Sequence, residues 1–289
     1  MHGTKLSLCF PLVLPLSLLT TIFYEAIAAA TDADEITVSY LVPSTKITLH
    51  EPVVWRFQVH NSSSVAIQLD LGKNRNENFI VSYTGPQAGA PQTVRLRKGG
   101  FGAVGLVSVA PNETYEQDML LNQWVSFAES GKYEIEIRLL QQESSRVEVH
   151  PFRTTIEILP LDPTRLRDVC SGLAQKVDDA SSYQKASDAA LALSFVRDPI
   201  AVPYLQRVLY AKQLVEPIAI GGLEQVGNEE AARVLVDALN GMSPDVALIA
   251  RAALERMEKQ TPNPQLKKLI QRSLGPTTTI LNPGWRAVA

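Results

Sequence analysis

The segment DPIAVPYLQRVL, residues 198–209, recurs thirty positions later as NEEAARVLVDAL, residues 228–239. The two copies align without a gap, and each opens with an Asp or Asn of the kind that caps a helix. Their apolar positions coincide, so that Leu205 lies over Leu235. The sequence therefore contains one helical unit that is used twice.

A period of this length is typical of stacked helical repeats, in which each pair of short helices buries one face against its neighbour. The pattern resembles HEAT-like repeats, in which an Asp-Pro or Asn turn opens the second helix of each pair. The resemblance covers residues 183–274 and implies a short α-solenoid. It concerns the fold and does not identify a ligand or a reaction.

Further helix signals surround the repeat. Residues 165–178 place their apolar side chains on one stripe, and residues 183–196 form a second, alanine-rich helix. Four polar residues are the predicted N-caps of later helices: Asp198, Asn228, Ser243 and Asn263. Pro203 predicts either a kink or a later start in the helix that follows Asp198.

The segment between residues 35 and 159 has a period of two, which indicates half-buried strands. Apolar and polar residues alternate over the following stretches: 36–42, 53–59, 65–71, 115–121, 133–139 and 152–158. Pro, Gly and Asn separate these stretches. About eight short strands with no helical period among them predict an antiparallel β-sandwich.

Gly131-Lys132-Tyr133 opens a strand near the end of this region. It resembles the tyrosine corner of immunoglobulin-like or fibronectin-like sandwiches, although the Cys-Trp-Cys core of antibody domains is absent. The resemblance implies the architecture alone.

The sequence therefore predicts a multidomain chain that is all-β and then all-α. We expect a β-sandwich over residues 31–160, HEAT-like helical repeats over 161–275 and a flexible tail over 276–289. The boundary is the proline-containing segment 159–163, because two prolines end the last strand and Asp162 can cap the helix that follows.

Residues 1–30 predict a secretory signal peptide. Lys5 precedes an apolar run over residues 6–23, and three alanines at 28–30 offer a cleavage site. An exported protein, periplasmic or extracellular, is expected, and an uncleaved membrane anchor is the alternative. Because cleavage leaves Cys170 as the only cysteine, no intrachain disulfide is expected.

Charge and motifs narrow the possible functions. The chain of 289 residues has a net charge of -3, which gives no general attraction for nucleic acid or anionic lipid. No GxSxG motif is present, and His50, His60 and His150 lack the spacing of a metal site. We expect a protein without catalytic activity, cofactor or metal.

Residues 100–105 match the GxGxxG pattern of dinucleotide-binding loops. That pattern binds a pyrophosphate only when a helix follows it. Residues 106–111 predict a strand that is followed by a proline, Pro111, and not a helix. A glycine-rich loop or bulge is therefore expected instead.

Cationic residues precede those glycines, and they offer a candidate binding surface. They either protect an edge strand from aggregation or bind a partner. Trp124 either packs in the core or offers a contact. The candidate partner-binding residues are Arg95, Arg97, Lys98, Phe101 and Trp124.

Three functional hypotheses follow. The first is an exported interaction or scaffold protein that binds a protein or peptide through the helical repeats and the sandwich loops. The second is an inhibitor or chaperone-like module that acts through the loop at residues 95–102. The third is an enzyme with a site at the domain junction, which requires an acidic or histidine cluster there.

Overall fold

The computed structural model describes residues 36–96, 105–140 and 149–275. In this part of the chain ten strands precede seven helices. The strands are β1 Ile36–Leu41, β2 Lys46–Thr48, β3 Val54–Asn61, β4 Ile67–Asp70, β5 Phe79–Thr84, β6 Gln92–Arg95, β7 Leu106–Val109, β8 Thr114–Leu120, β9 Gly131–Leu139 and β10 Phe152–Leu159. The helices are α1 Pro163–Asp178, α2 Tyr183–Ser194, α3 Val202–Leu209, α4 Glu216–Val226, α5 Glu229–Gly241, α6 Pro244–Gln260 and α7 Pro264–Leu274.

The described strands form three sheets. A three-stranded sheet has the order β1-β3-β8, a five-stranded sheet has the order β2-β10-β9-β5-β6, and β4 pairs with β7. All pairs are antiparallel except β2 with β10. Within these sheets β8 and β6 are edge strands, and β8 is bonded on one side to β3 with Trp55 opposite Met119.

The two larger sheets share one apolar core. Trp55 and Phe57 on β3 and Phe79 on β5 are fully buried. The ring of Phe79 lies 5.1 Å from that of Trp55 and 5.2 Å from that of Phe57, edge to face in both pairs. The alternation predicted from the sequence therefore turns one face of each of these strands towards the core.

Tyr133 lies near the start of β9. Its hydroxyl group donates a hydrogen bond of 3.1 Å to the carbonyl oxygen of Glu129, four residues upstream. The side chain is 3% exposed and packs against Phe127, with ring centroids 5.0 Å apart. This bond fixes the turn that leads into β9.

The change from strands to helices occurs at the predicted segment. β10 ends at Leu159 and α1 begins at Pro163, and the Asp162 side chain accepts hydrogen bonds from the backbone N–H groups of Thr164 and Arg165 at 2.9 and 3.1 Å. The Thr48 hydroxyl donates to the Pro160 carbonyl oxygen and accepts from the Asp162 N–H group. Arg165 forms an ion pair of 2.8 Å with Glu51.

The seven helices pack in two layers. Each helix contacts the next one along the chain. In addition, α2, α4 and α6 contact one another in that order, as do α1, α3, α5 and α7. Their inward side chains form a second apolar core, separate from the core of the strands.

Both copies of the repeated segment contain a helix that follows a capping Asp or Asn side chain. Asp198 caps a short 3-10 turn, Pro199–Ala201, and α3 begins at Val202, which confirms the later helix start that Pro203 predicted. Asn228 caps α5 by accepting a hydrogen bond of 2.8 Å from the Ala231 N–H group. The equivalent residues Leu205 and Leu235 are both fully buried.

Candidate functional site

Of the five predicted contact residues, Arg95 and Trp124 lie within the described structure. Arg95 is exposed at the end of the edge strand β6. Arg97, Lys98 and Phe101 lie outside the described residues. Trp124 is only 4% exposed and packs in the strand core, 6.3 Å from Trp55 between ring centroids, so it does not belong to a contact surface.

The glycine-rich motif is followed by β7 rather than by a helix, as expected, so a phosphate would find no helix N-terminus there. Most of the motif lies outside the described residues, but Gly105 is included. A Cβ atom at this position would lie 1.6 Å from the carbonyl oxygen of Gly72, so that only glycine permits the close approach of the two segments.

The thiol of Cys170, which is the cysteine left after the predicted cleavage, is shielded from solvent. Cys170 lies on α1 and is fully buried, and burial raises the pKa of its thiol to about 12. Within residues 36–96, 105–140 and 149–275, no three His, Cys, Asp or Glu side chains are grouped so as to hold a metal ion.

A cleft of about 1050 Å³ lies between the strands and the first two helices. One wall is β8, and the other is formed by the end of α1 and most of α2. Asn74 and Arg75 of the 3-10 turn Lys73–Arg75 also line the cleft, together with Val54, Asn76 and Gln123. The Asn76 side chain donates a 2.9 Å hydrogen bond to Gln123.

The strand wall is an edge rather than a face. Six consecutive residues of β8, from 115 to 120, line the cleft, although neighbouring residues in a strand point to opposite faces of the sheet. Because the cleft contacts all six residues, it faces the edge of the strand and not one face of the sheet. Among the described strands, β8 is at the edge of its sheet, with β3 on its other side.

The hydrogen-bond register shows which backbone groups point into the cleft. Leu121 donates to Val53 and Asn61 donates to the Glu113 carbonyl oxygen, at the two ends of the β3–β8 ladder. Because bonded and non-bonded pairs alternate along an antiparallel ladder, the odd-numbered residues of β8 bond to β3. The N–H and C=O groups of Glu116, Asp118 and Leu120 consequently point away from β3.

The helix wall is positioned by the packing of α2. Ala186, Ala190 and Leu193 are fully buried in the helical core, so the opposite side of the helix remains for the cleft. That side carries five residues of mixed character: Gln184, Lys185, Ser187, Asp188 and Leu191.

Carboxylates from both walls face the cleft. Arg56 donates to both carboxylate oxygens of Asp118, at 2.6 and 3.0 Å, and forms an ion pair of 2.8 Å with Glu116. The hydrogen bond to Asp118 is the main reason that the pKa of Arg56 is raised. These pairs hold the acidic side chains of β8 on the outer face of the sheet.

Asp188 on α2 is the acidic group of the opposite wall. Its side chain remains accessible to solvent at the surface of the cleft. Partial burial raises the pKa of its carboxyl group, a 2.7 Å hydrogen bond from Gln184 acts in the opposite direction, and the charge of Asp118 raises it further. The two carboxylates therefore repel each other across the cleft.

None of the described helices combines the length and the apolar character needed to cross a membrane. The predicted signal segment lies outside the described residues.

Sequence reasoning missed the cleft because its walls are distant in the chain. β8 and α2 are each visible as elements, and the third hypothesis placed a site at the junction of the two halves. However, the alternation in residues 115–121 does not reveal which strand is at an edge. Apart from the alternating core positions, no residue of β8 had a sequence feature that indicated a binding site.

Comparison with known proteins finds no matching family model and no matching curated protein. Among solved structures, a β-glucosidase from Listeria innocua in complex with isofagomine is similar at 14% identity and a TM-score of 0.27, covering 43% of this chain and 16% of that one. The chain therefore spans about a sixth of that relative.

Two smaller proteins show similarity of the same order. The CARDB domain of the PF1109 protein from Pyrococcus furiosus matches at 12% identity and a TM-score of 0.26, covering 46% of this chain and 100% of that one. Spo0M, a sporulation control protein from Bacillus subtilis, matches at 9% identity and a TM-score of 0.27, covering 49% and 56%. Similarity at this level does not bear on the fold or activity of the present protein.

Proposed function

We propose that this chain is an exported, non-catalytic interaction protein that binds an extended peptide segment of a partner protein in the cleft between β8 and α2. In this proposal the strands form an immunoglobulin-like sandwich and the helices a short HEAT-like solenoid. Residues 1–30 are a signal peptide that is removed on export to the periplasm or the extracellular space.

The observation that supports this function is the cleft itself. It is large enough for several residues of a peptide, and its walls are a strand edge and a helix. Peptide recognition commonly uses such an edge, where main-chain hydrogen bonds provide affinity and neighbouring side chains provide specificity.

The architecture is supported by separate features. The sandwich is favoured by the core shared between the sheets and by the Tyr133 corner. The solenoid is favoured by the two helix layers and by the equivalent caps Asp198 and Asn228.

An enzyme at the same junction is the second candidate, because acidic side chains meet there. Asp118 and Asp188 line the cleft from opposite walls, and a pair of carboxylates is a common arrangement for acid–base hydrolysis. Against this reading, Arg56 engages both oxygens of Asp118, and Gln184 binds Asp188. Hydrolysis that is abolished by Asp118→Asn and Asp188→Asn would support this candidate.

A displayed library of random peptides, selected on the full chain, tests the proposed function. Ser187→Trp adds bulk to the helix wall at a half-buried position, whereas Ser171→Trp adds the same side chain on the exposed side of α1, outside the cleft. Circular dichroism checks that both variants fold. Gln184→Trp, at a more exposed position of the same wall, replaces Ser187→Trp if the latter does not fold.

We expect enriched peptides with the wild-type chain and with Ser171→Trp, and loss of their binding with Ser187→Trp. If Ser187→Trp and Gln184→Trp bind the enriched peptides as well as the wild-type chain does, the cleft is not the binding site. Loss of binding in Arg95→Ala instead assigns recognition to the loop at residues 95–102.

A further inference from the structure

The backbone of β8 indicates how a peptide is held in the cleft, if the cleft binds a peptide as in the proposed function, on which this inference rests. The N–H and C=O groups of Glu116, Asp118 and Leu120 point into the cleft, and within the described parts of the chain they take part in no hydrogen bond. Every second residue of this part of β8 therefore has its backbone N–H and C=O groups directed outward. This is the pattern of hydrogen-bonding groups that one additional strand requires.

The surroundings of this edge leave room for such a strand. An exposed edge normally carries a device that blocks pairing, such as proline, a bulge or an inward charge. β8 contains no proline and pairs with β3 in unbroken register from Thr114 to Leu120. Its charged residues, Glu116 and Asp118, are tied to Arg56 on the outer face of the sheet.

The charges of the cleft indicate what the added strand carries. The lining includes four acidic side chains, Glu116, Asp118, Asp179 and Asp188, and three basic ones, Arg75, Lys176 and Lys185. Asp118 and Asp188 lie on opposite walls, close enough for the charge of one to affect the other. A cation placed between them would relieve this repulsion.

We propose that the partner contributes an extended segment that pairs with the outward-facing backbone of β8 as an additional strand and places a lysine or arginine side chain between Asp118 and Asp188. The occupant is thus a β-prone peptide with a central basic residue. Backbone pairing provides the general affinity, and the two carboxylates select the basic side chain.

Amide hydrogen exchange of the full chain tests this proposal. The probe is the end-blocked synthetic peptide Thr-Val-Thr-Lys-Val-Thr-Val. Two matched probes replace its lysine by glutamine or carry an N-methyl group on every backbone nitrogen, which removes all backbone donors.

At a peptide concentration about ten times the Kd, we expect the amides of Glu116, Asp118 and Leu120 to exchange about tenfold more slowly. The Gln117 amide, which bonds to β3, should not change. The N-methylated probe should give no protection. Replacement of lysine by glutamine should weaken binding about fivefold, and Asp188→Asn should reduce this difference to about twofold or less.

Several results would overturn the inference. If the three outward amides are already as protected as Gln117 in the free chain, another segment of the chain covers the edge. If their protection grows with protein concentration alone, a second copy covers it. Absence of protection with the lysine probe, or equal binding of the N-methylated probe, also overturns it. If library peptides bind in the cleft without protecting these amides, the proposed function stands and only the strand pairing fails.

Discussion

Two buried tyrosines in the strand core differ in one respect that determines their contribution to stability. The Tyr133 hydroxyl group donates to the Glu129 carbonyl oxygen at 3.1 Å. The Tyr40 hydroxyl group is buried and has no hydrogen-bond partner among the described residues. Burial raises the pKa of Tyr40 strongly, because the charged form would lose its hydration.

Removing each hydroxyl group should therefore have opposite effects. Tyr133→Phe is expected to lower the free energy of unfolding by about 0.5–1.5 kcal/mol, because it leaves a carbonyl group without its partner. Tyr40→Phe should leave the stability unchanged or raise it, because it removes an unsatisfied polar group from the core. Urea unfolding followed by tryptophan fluorescence measures both, and a larger loss for Tyr40→Phe would contradict this assignment.

At the residue scale, burial was more predictable than hydrogen bonding. The alternation around Trp55 indicated an inward side chain, and the structure buries it completely. The sequence left Trp124 open between core and contact, because its position in LNQWVSF follows no clear period. The 3-10 turn Leu121–Gln123 explains this, since it interrupts the strand pattern just before Trp124 and turns its side chain inward.

At the scale of elements, two helix starts provide a matched comparison. Asn228 caps α5 through its side chain, which accepts a 2.8 Å bond from Ala231. Ser243 precedes α6 but makes no side-chain cap bond. Asn228→Ala is expected to destabilise the helical part by about 1 kcal/mol. Ser243→Ala should cost less, and thermal unfolding followed by circular dichroism distinguishes the two. Equal losses would show that the capping bond is not what stabilises α5.

The helices were predictable because their signals are local. Prolines at first positions and Asx caps lie within a few residues of the helix ends that they define. Gly227, with φ of 65°, ends α4 in the left-handed conformation that glycine adopts without strain. Strand pairing depends on distant partners instead, so the sequence indicated the strands but not that β3 is the one partner of β8 within the described ranges.

At the scale of the whole molecule, the partial burial of Asp188 in the cleft should make stability depend on pH. The pKa of Asp188 is raised above its ordinary value of 3.8, mainly by burial. Ionisation is therefore less favourable in the folded chain than in the unfolded chain, and the fold loses stability as the pH rises from the ordinary value through the raised one.

Asp188→Asn removes this ionisation and should stabilise the fold above the raised pKa. The gain should be below about 1 kcal/mol because the side chain is accessible to solvent, and it should vanish below pH 3.8. Melting temperatures across the acidic range test this, with Asp168→Asn on the exposed side of α1 as the control. A variant that is less stable than wild type at neutral pH contradicts the predicted cost of ionising Asp188 in the folded chain.

The cleft between the two halves could not be predicted because it depends on how they meet. Short contacts at the junction, such as Arg165 with Glu51 and Thr48 with Asp162, set the position of α1 and therefore of α2 relative to β8. The partners in each contact are more than a hundred residues apart, and the cap predicted at Asp162 did not indicate its contact with Thr48.

Photo-crosslinking of an enriched library peptide tests the central claim most directly. A benzophenone group is placed on the peptide, and mass spectrometry locates the crosslinked residues on the full chain. Our account predicts crosslinks to both walls, namely to residues 115–120 of β8 and to residues 184–192 of α2. Crosslinks confined to the loop at residues 95–102, or to helices away from the cleft, would contradict it.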